Sequence, residues 1–141
     1  MKETTKLILN RIFAILTGVV AGAIVMGMLE MISNSMYPFP TGADLSDPAV
    51  IKEHISTLPI SAFLIVLTAH AIGALTGGFV ASKMAKVEKR GAALYTGLIL
   101  LLAGVLNLIS IPHPLWFSIV DVILFTPMAL LGNMLRSKIW P

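Results

Sequence analysis

The sequence contains no cysteine and few charged residues. The absence of cysteine from all 141 residues excludes disulfides, thiolate metal sites and cysteine nucleophiles. Only 12% of the residues are charged, about half of the roughly 25% that is usual in a soluble domain. The basic residues lie in loops beside apolar runs, so the pI near 9.5 does not indicate a nucleic-acid partner. These features favour a membrane protein.

Common enzyme signatures are missing as well. The chain has no Gly-x-Ser-x-Gly, no His-Glu-x-x-His and no glycine-rich phosphate loop. A single intramembrane aspartate cannot form an aspartic dyad. We therefore assign no catalytic residue and no cofactor. A membrane enzyme that acts on a lipid at the outer leaflet is the least favoured interpretation.

Four long apolar runs explain a composition that is 57% hydrophobic with a mean hydropathy of +0.91. Each run reaches or approaches the roughly 20 residues that cross a hydrocarbon core of about 30 Å. We therefore expect an all-α integral membrane protein, with residues 1–141 forming a single four-transmembrane-helix bundle. The start resembles a signal peptide, but its apolar run continues past Ala23, so we expect a retained helix. The predicted spans cover about 12–36, 60–82, 91–111 and 115–135.

The segment between the first two spans is the one substantial loop. Pro38 and Pro40 cannot continue a helix, because proline lacks the amide proton and restricts the preceding residue. Asp47 and Pro48 then supply an N-cap and a first-turn proline, which predicts a short helix over 49–56. We expect it to lie in the headgroup plane rather than in bulk solvent. Its apolar side consists of Val50, Ile51, Ile55 and Leu58.

The distribution of positive charge predicts the topology. Nine of the ten Lys and Arg residues lie in the N-terminal segment, the 83–90 turn or the C-terminal tail. The 1–2 loop has Lys52 alone, and the 112–114 turn has no basic side chain except His113. The positive-inside rule then places both termini in the cytoplasm. The expected location is the cell (inner) membrane, with the 1–2 loop on the outside.

Four polar side chains lie inside the apolar runs, where such groups are costly and often functional. They are Glu30, His70, Asn107 and Asp121, one on each predicted helix. Because successive helices alternate in direction, all four fall between the midplane and the outer surface. Each also shares a helix side with small residues, which predicts one convergent polar cluster that is open to the outside. We expect His70 and Asp121 to lie within hydrogen-bond or one-water reach of each other.

Each of these groups also has a purely structural interpretation. Asn107 is most simply a hydrogen-bonding contact between helices, and Glu30 could extend to the outer interface. His70 could be a neutral imidazole bonded to a carbonyl or to Asp121. A buried carboxylate costs several kcal/mol unless it is paired or protonated. One imidazole with two carboxylates would suit zinc or manganese, but no ligand spacing supports a metal site, so a divalent cation is disfavoured.

Two GxxxG spacings predict close helix packing. Gly18 and Gly22 lie in the first span, and Gly73 and Gly77 in the second. In an apolar segment this spacing lets two backbones approach closely. The spacing does not distinguish a partner helix in the same chain from one in a second copy.

Three interpretations of function follow. The first is an accessory or structural membrane subunit whose polar core fixes helix packing. The second is an oligomeric proton- or cation-coupled transporter or channel that uses Glu30, His70 and Asp121. The third is the lipid-directed enzyme. The expected partners are the lipid bilayer and either further copies of the chain or a larger membrane complex, with no nucleic acid.

Overall fold

The computed structural model describes residues 2–140, and this part of the chain contains five α-helices and no β-strand. Four of the helices are long and apolar enough to cross a membrane, which confirms the all-helical class and the number of candidate spans. The fifth is a short helix between the first two spans. The helices are α1 (Glu3–Met36), α2 (Pro48–Thr57), α3 (Ile60–Met84), α4 (Lys89–Ser110) and α5 (Leu115–Ile139).

The outermost two helices are longer than the predicted spans. Helix α1 begins at Glu3 rather than near residue 12, and α5 continues to Ile139 rather than ending near residue 135. Residues 3–11 are partly polar but contain neither proline nor glycine, so nothing in them stops the helix. The 34 residues of α1 extend about 51 Å, well beyond the apolar thickness that a span requires.

The polar N-terminal part of α1 packs against the turn between α3 and α4. The Asn10 side-chain amide donates a hydrogen bond to the Met84 carbonyl (3.3 Å), and its oxygen accepts one from the Lys86 amide (2.8 Å). These bonds satisfy backbone groups at the end of α3 that have no partner within the helix. The Arg11 guanidinium lies 5.2 Å from the centre of the Tyr95 ring. These contacts place the start of α1 beside the end of α3.

The four long helices form a bundle with a rhombic cross-section. Helices α3 and α4 contact each other, and both contact α1 and α5. No such contact joins α1 to α5 within residues 2–140, so these two helices lie on opposite sides of the α3–α4 pair. A side chain on α3 can therefore touch α1 with one edge and α5 with the other.

Glycines bring α1 and α3 into backbone contact. A Cβ atom built on Gly18 would lie 2.6 Å from the Gly77 carbonyl oxygen, and one built on Gly22 would lie 2.8 Å from that of Gly73. The two GxxxG pairs thus face each other within one chain. The α3–α5 interface uses further small residues that the sequence analysis did not assign to packing. Gly78 lies against the backbone of Ala129, and Gly132 against that of α3.

The short helix α2 begins as predicted. The Asp47 carboxylate accepts a hydrogen bond from the Ala49 amide (2.8 Å), and Pro48 occupies the first helical turn. The apolar side of the helix faces the bundle, because Ile55 and the following Leu58 pack against a cluster formed by Phe63, Leu67 and Phe117. Helix α2 therefore covers one end of the bundle, and part of its apolar side contacts the other helices.

Candidate functional site

His70 bridges two carboxylates that belong to different helices. Its Nδ1 atom lies 2.5 Å from Oδ1 of Asp121 on α5, and its Nε2 atom lies 2.8 Å from Oε1 of Glu30 on α1. The contact between His70 and Asp121 is the one predicted from their shared depth and facing. The contact with Glu30 is possible because α3 lies between the two outer helices. We call these three residues the triad.

The three positions lie at similar depth, within about 6 Å of one another, because the helices alternate in direction. Glu30 lies about 9 Å from the C-terminal end of α1, and Asp121 about 9 Å from the start of α5. His70 is ten residues into α3, or about 15 Å along the helix. The imidazole is thus the deepest member of the triad, measured from the α2 end of the bundle.

The geometry of the triad determines how many protons its two hydrogen bonds require. A neutral imidazole has one N–H donor and one acceptor nitrogen, whereas an ionised carboxylate can only accept. Both ring nitrogens of His70 face carboxylate oxygens, so two hydrogen bonds require two protons. One belongs to the neutral imidazole, and the other is an additional proton on the ring or on a carboxyl group. The triad in this arrangement therefore carries one exchangeable proton and a net charge of minus one.

The triad is closed on one side and accessible on the other. The side chains of Asp121 and His70 are 1% and 8% exposed, whereas that of Glu30 is 39% exposed. The ring of Phe125 lies 5.2 Å from the His70 ring, one turn further along α5. Phe125 packs with Ala74 and Leu100 in a buried apolar layer, which we call the apolar plug. Glu30 is therefore the member of the triad that solvent can reach, and Asp121 is the most enclosed.

A cavity of about 230 Å³ leads to the accessible side of the triad. Glu30 and His70 are at its inner part, and residues from α2 and the loop before it form its cover. The Tyr37 hydroxyl is hydrogen-bonded to Ser61 (2.8 Å), which ties this loop to the start of α3. The cavity therefore lies beneath the loop and α2.

Asn107 lines the cavity but is separate from the triad. Its side chain makes no hydrogen bond to Glu30, His70 or Asp121. Two small residues lie near Asn107 on α4, and they differ in burial: Gly104 is buried, whereas Ala103 is exposed. Helix α4 thus contributes to the wall of the cavity, and three of the four predicted polar residues come together.

The two carboxylates have different surroundings. On α1, Gly27 faces open space, and Glu30 reaches the triad from the edge of the packed side formed by Gly18 and Gly22. The expected small-residue side is therefore wrong around Gly27. On α5, Gly132 is buried against α3 and shares the buried side with Asp121, as expected, together with the rings of Phe117 and Phe125. These rings exclude water from the aspartate.

Two further histidines line the cavity near its cover. The His54 ring lies 4.0 Å from that of Phe39, and the His113 ring stacks on Phe117 at 4.9 Å. The His113 ring also forms a 2.7 Å hydrogen bond with the Ile111 carbonyl, so its Nδ1 is the donor. Neither belongs to the four polar residues that the sequence analysis assigned to the site. Their part in the wall depends on how α2 and the 111–114 turn fold over the bundle.

The triad is not arranged to coordinate a metal ion. The two ring nitrogens of His70 point in opposite directions, each towards a different carboxylate. A metal site needs its ligand atoms to converge on one point. Across residues 2–140, no group of three or more His, Asp or Glu side chains has that arrangement. In this arrangement the triad therefore does not present a convergent set of metal ligands.

Comparison with known proteins adds no assignment. The chain matches no family model, no curated protein and no solved structure. The function has to be argued from the triad, the cavity and the charge distribution.

Proposed function

We propose that this protein is a four-span integral membrane protein that couples the movement of protons to that of a small cation. The observation that supports this most directly is the buried imidazole held between two carboxylates at the inner part of a cavity. Ionisable groups inside a membrane span are costly, and they commonly mark proton or ion pathways. An arrangement that holds one exchangeable proton is suited to that role.

The proposed pathway follows the accessibility of the three groups. A proton enters through the cavity and binds the half-exposed Glu30 carboxylate. It passes to Nε2 of His70, and the proton on Nδ1 moves to Asp121, so a single transfer needs no rotation of the ring. The transfer leaves the proton on Nε2, and the ring must return to the Nδ1–H tautomer before the next proton can pass. The apolar plug blocks further passage in this conformation. Release on the other side therefore requires a second conformation, as in alternating access.

The proposed orientation places the cavity on the outer side of the cell membrane. Nine of ten Lys and Arg residues lie in the segments at the opposite end of the bundle, which the positive-inside rule assigns to the cytoplasm. Exposed apolar side chains run along α1 from Ile8 to Ile32 and provide a surface for lipid. Under this proposal α2 lies at the outer membrane surface.

Proton movement in liposomes tests the proposal. We expect the protein, reconstituted with internal pyranine and under a pH gradient, to move protons when sodium, potassium or tetramethylammonium is supplied on the opposite side. Asp121→Asn and His70→Gln should each reduce the rate at least tenfold, because each removes one step of the relay. Glu3→Gln is the matched control, since Glu3 is an exposed carboxylate at the other end of the bundle.

Two results would contradict the proposal. One is the absence of proton movement above that of empty liposomes with all three cations and with the phenethylamine used in the binding test below. The other is an unchanged rate in both triad variants while circular dichroism and size-exclusion profiles show folded protein. Either result would favour the accessory-subunit interpretation.

The accessory-subunit interpretation rests on an observation of its own. Each of the three triad side chains has a hydrogen-bond partner within the triad. Such a network can serve only to hold α1, α3 and α5 in register, with no proton leaving it. The two interpretations are distinguished by replacing the triad with uncharged side chains. The measurement is whether transport and association with a larger membrane complex are retained. Association with further copies of the chain stays a prediction.

A further inference from the structure

The end of the bundle that holds the cavity is negatively charged. The segment that covers the cavity contains Asp44, Asp47 and Glu53 but only one basic residue, Lys52. The Ser46 hydroxyl and the Ser46 amide both donate hydrogen bonds to the Asp44 carboxylate. These bonds, that of the hydroxyl most strongly, lower the pKa of Asp44, so this carboxyl is ionised at neutral pH. The triad inside the cavity adds a further net negative charge. A cation is attracted at the mouth and at the inner part alike.

Much of the cavity wall is aromatic or aliphatic. Besides the three histidines, four aromatic rings line it, and they come from the loop, from α3 and from the start of α5: Tyr37, Phe39, Phe63 and Phe117. Aromatic faces attract cations within about 6 Å and also pack against other rings. A hydrated metal ion gains little from such a wall, whereas an organic cation with an apolar body gains from both the wall and the carboxylate.

The volume limits the size of the ligand. An apolar cavity of about 150 Å³ holds benzene, which has six non-hydrogen atoms. By proportion, the 230 Å³ cavity accommodates about nine such atoms. A ring with a two-carbon arm and an amine has this size.

From these three observations we infer that the cavity binds a monocationic arylalkyl amine. Its ammonium group is held by the half-exposed Glu30 carboxylate, and its ring by the aromatic wall. The inference rests on the proposed function, because it names the class of cation that exchanges with the proton. Only Oε1 of Glu30 contacts His70, which leaves Oε2 as an acceptor for the ammonium.

Proton and amine compete for the same carboxylate. Protonation of Glu30 removes the charge that holds the ammonium, and a bound ammonium favours the ionised carboxylate. The groups that face Glu30 or share its cavity are His70 of α3, through it Asp121 of α5, His54 of α2, and Asn107 and His113. This competition is the linkage that a proton–amine exchanger needs.

Equilibrium dialysis of radiolabelled phenethylamine against the protein in nanodiscs tests the inference, with empty nanodiscs subtracted. We expect saturable binding at one site per chain. The neutral analogue 2-phenylethanol should bind at least tenfold more weakly, because it lacks the charge. Glu30→Gln should weaken phenethylamine binding about 10- to 100-fold, as expected for loss of a charge-assisted hydrogen bond. Glu3→Gln should bind as the unaltered protein does.

A second variant tests the location. Val66 is half-buried and lines the cavity one turn from His70. Val66→Trp fills part of the cavity without changing any charge, so it should also weaken binding at least tenfold. The inference is overturned by unsaturable binding, by equal binding of the alcohol, or by binding that survives both Glu30→Gln and Val66→Trp in folded protein.

The two proposals fail separately. Proton movement with sodium, potassium or tetramethylammonium but without phenethylamine binding retains the proposed function and overturns the amine inference. Phenethylamine binding without proton movement for any cation retains the binding site and contradicts the transport function.

Discussion

Replacing His70 with leucine is expected to lower the free energy of unfolding by about 3–5 kcal/mol, the usual cost of removing one partner of a buried ion pair. Asp121 is 1% exposed, and His70 is its hydrogen-bond partner. Without the imidazole, the carboxylate stays buried with neither a donor nor an opposite charge. It must then take up a proton or draw water into the bundle, and both responses cost stability.

The matched variant replaces the whole triad. We expect Glu30→Gln, His70→Leu and Asp121→Val together to recover most of the loss, to within about 1.5 kcal/mol of the unaltered protein. The physical reason is that no uncompensated charge remains, while the new side chains have similar volumes. Unfolding by SDS in mixed micelles, followed by circular dichroism, measures both variants. If the triple variant is as unstable as His70→Leu alone, the cost does not come from an unpaired buried carboxylate.

The triple variant also separates the two interpretations of function. A stable bundle that no longer moves protons indicates that the triad is present for transport. If the triple variant is stable and behaves as the unaltered protein in every assay, then packing alone can replace the triad. Because buried polar networks are often no more stable than apolar replacements, stability alone does not explain why the chain contains one.

Gly22→Ala is expected to destabilise the bundle by about 1–3 kcal/mol, the range for forcing an extra methyl into a packed interface. The added Cβ would lie 2.8 Å from the Gly73 carbonyl oxygen, which belongs to the backbone of α3 and cannot rotate away. Helix α1 would have to move away from α3. That movement would also lengthen the contact between Glu30 and His70, so proton movement should fall with stability.

Gly27→Ala provides the control on the same helix. A Cβ at Gly27 meets nothing within 4 Å. Alanine is favoured over glycine in a helix interior by about 1 kcal/mol, so this variant should be neutral or slightly more stable. The same SDS titration measures both. Equal effects of the two substitutions would contradict close α1–α3 packing at Gly22 and would favour a role for this glycine at another surface.

Much of the architecture can be predicted from the residues in order. The length of the apolar runs sets the number of helices that can cross a membrane, because a span needs a fixed rise. Asp47 and Pro48 determine locally where α2 begins. Helix α1 begins before the predicted span because polar residues such as Asn10 and Arg11 interrupt the apolar run without stopping a helix. Contacts such as that of Asn10 with Met84 also hold this part of the helix.

The candidate site could also be predicted from the sequence only in part. Depth follows from counting along each helix, so the sequence alone indicated that Glu30, His70, Asn107 and Asp121 lie in the same half of the bundle and that His70 meets Asp121. Which helices are neighbours was decided by the tertiary packing of small residues, which places α3 between α1 and α5. That arrangement gives one imidazole two carboxylates and leaves Asn107 outside the triad. Helical periodicity is a local property, whereas the contacts between faces depend on how all four helices pack together.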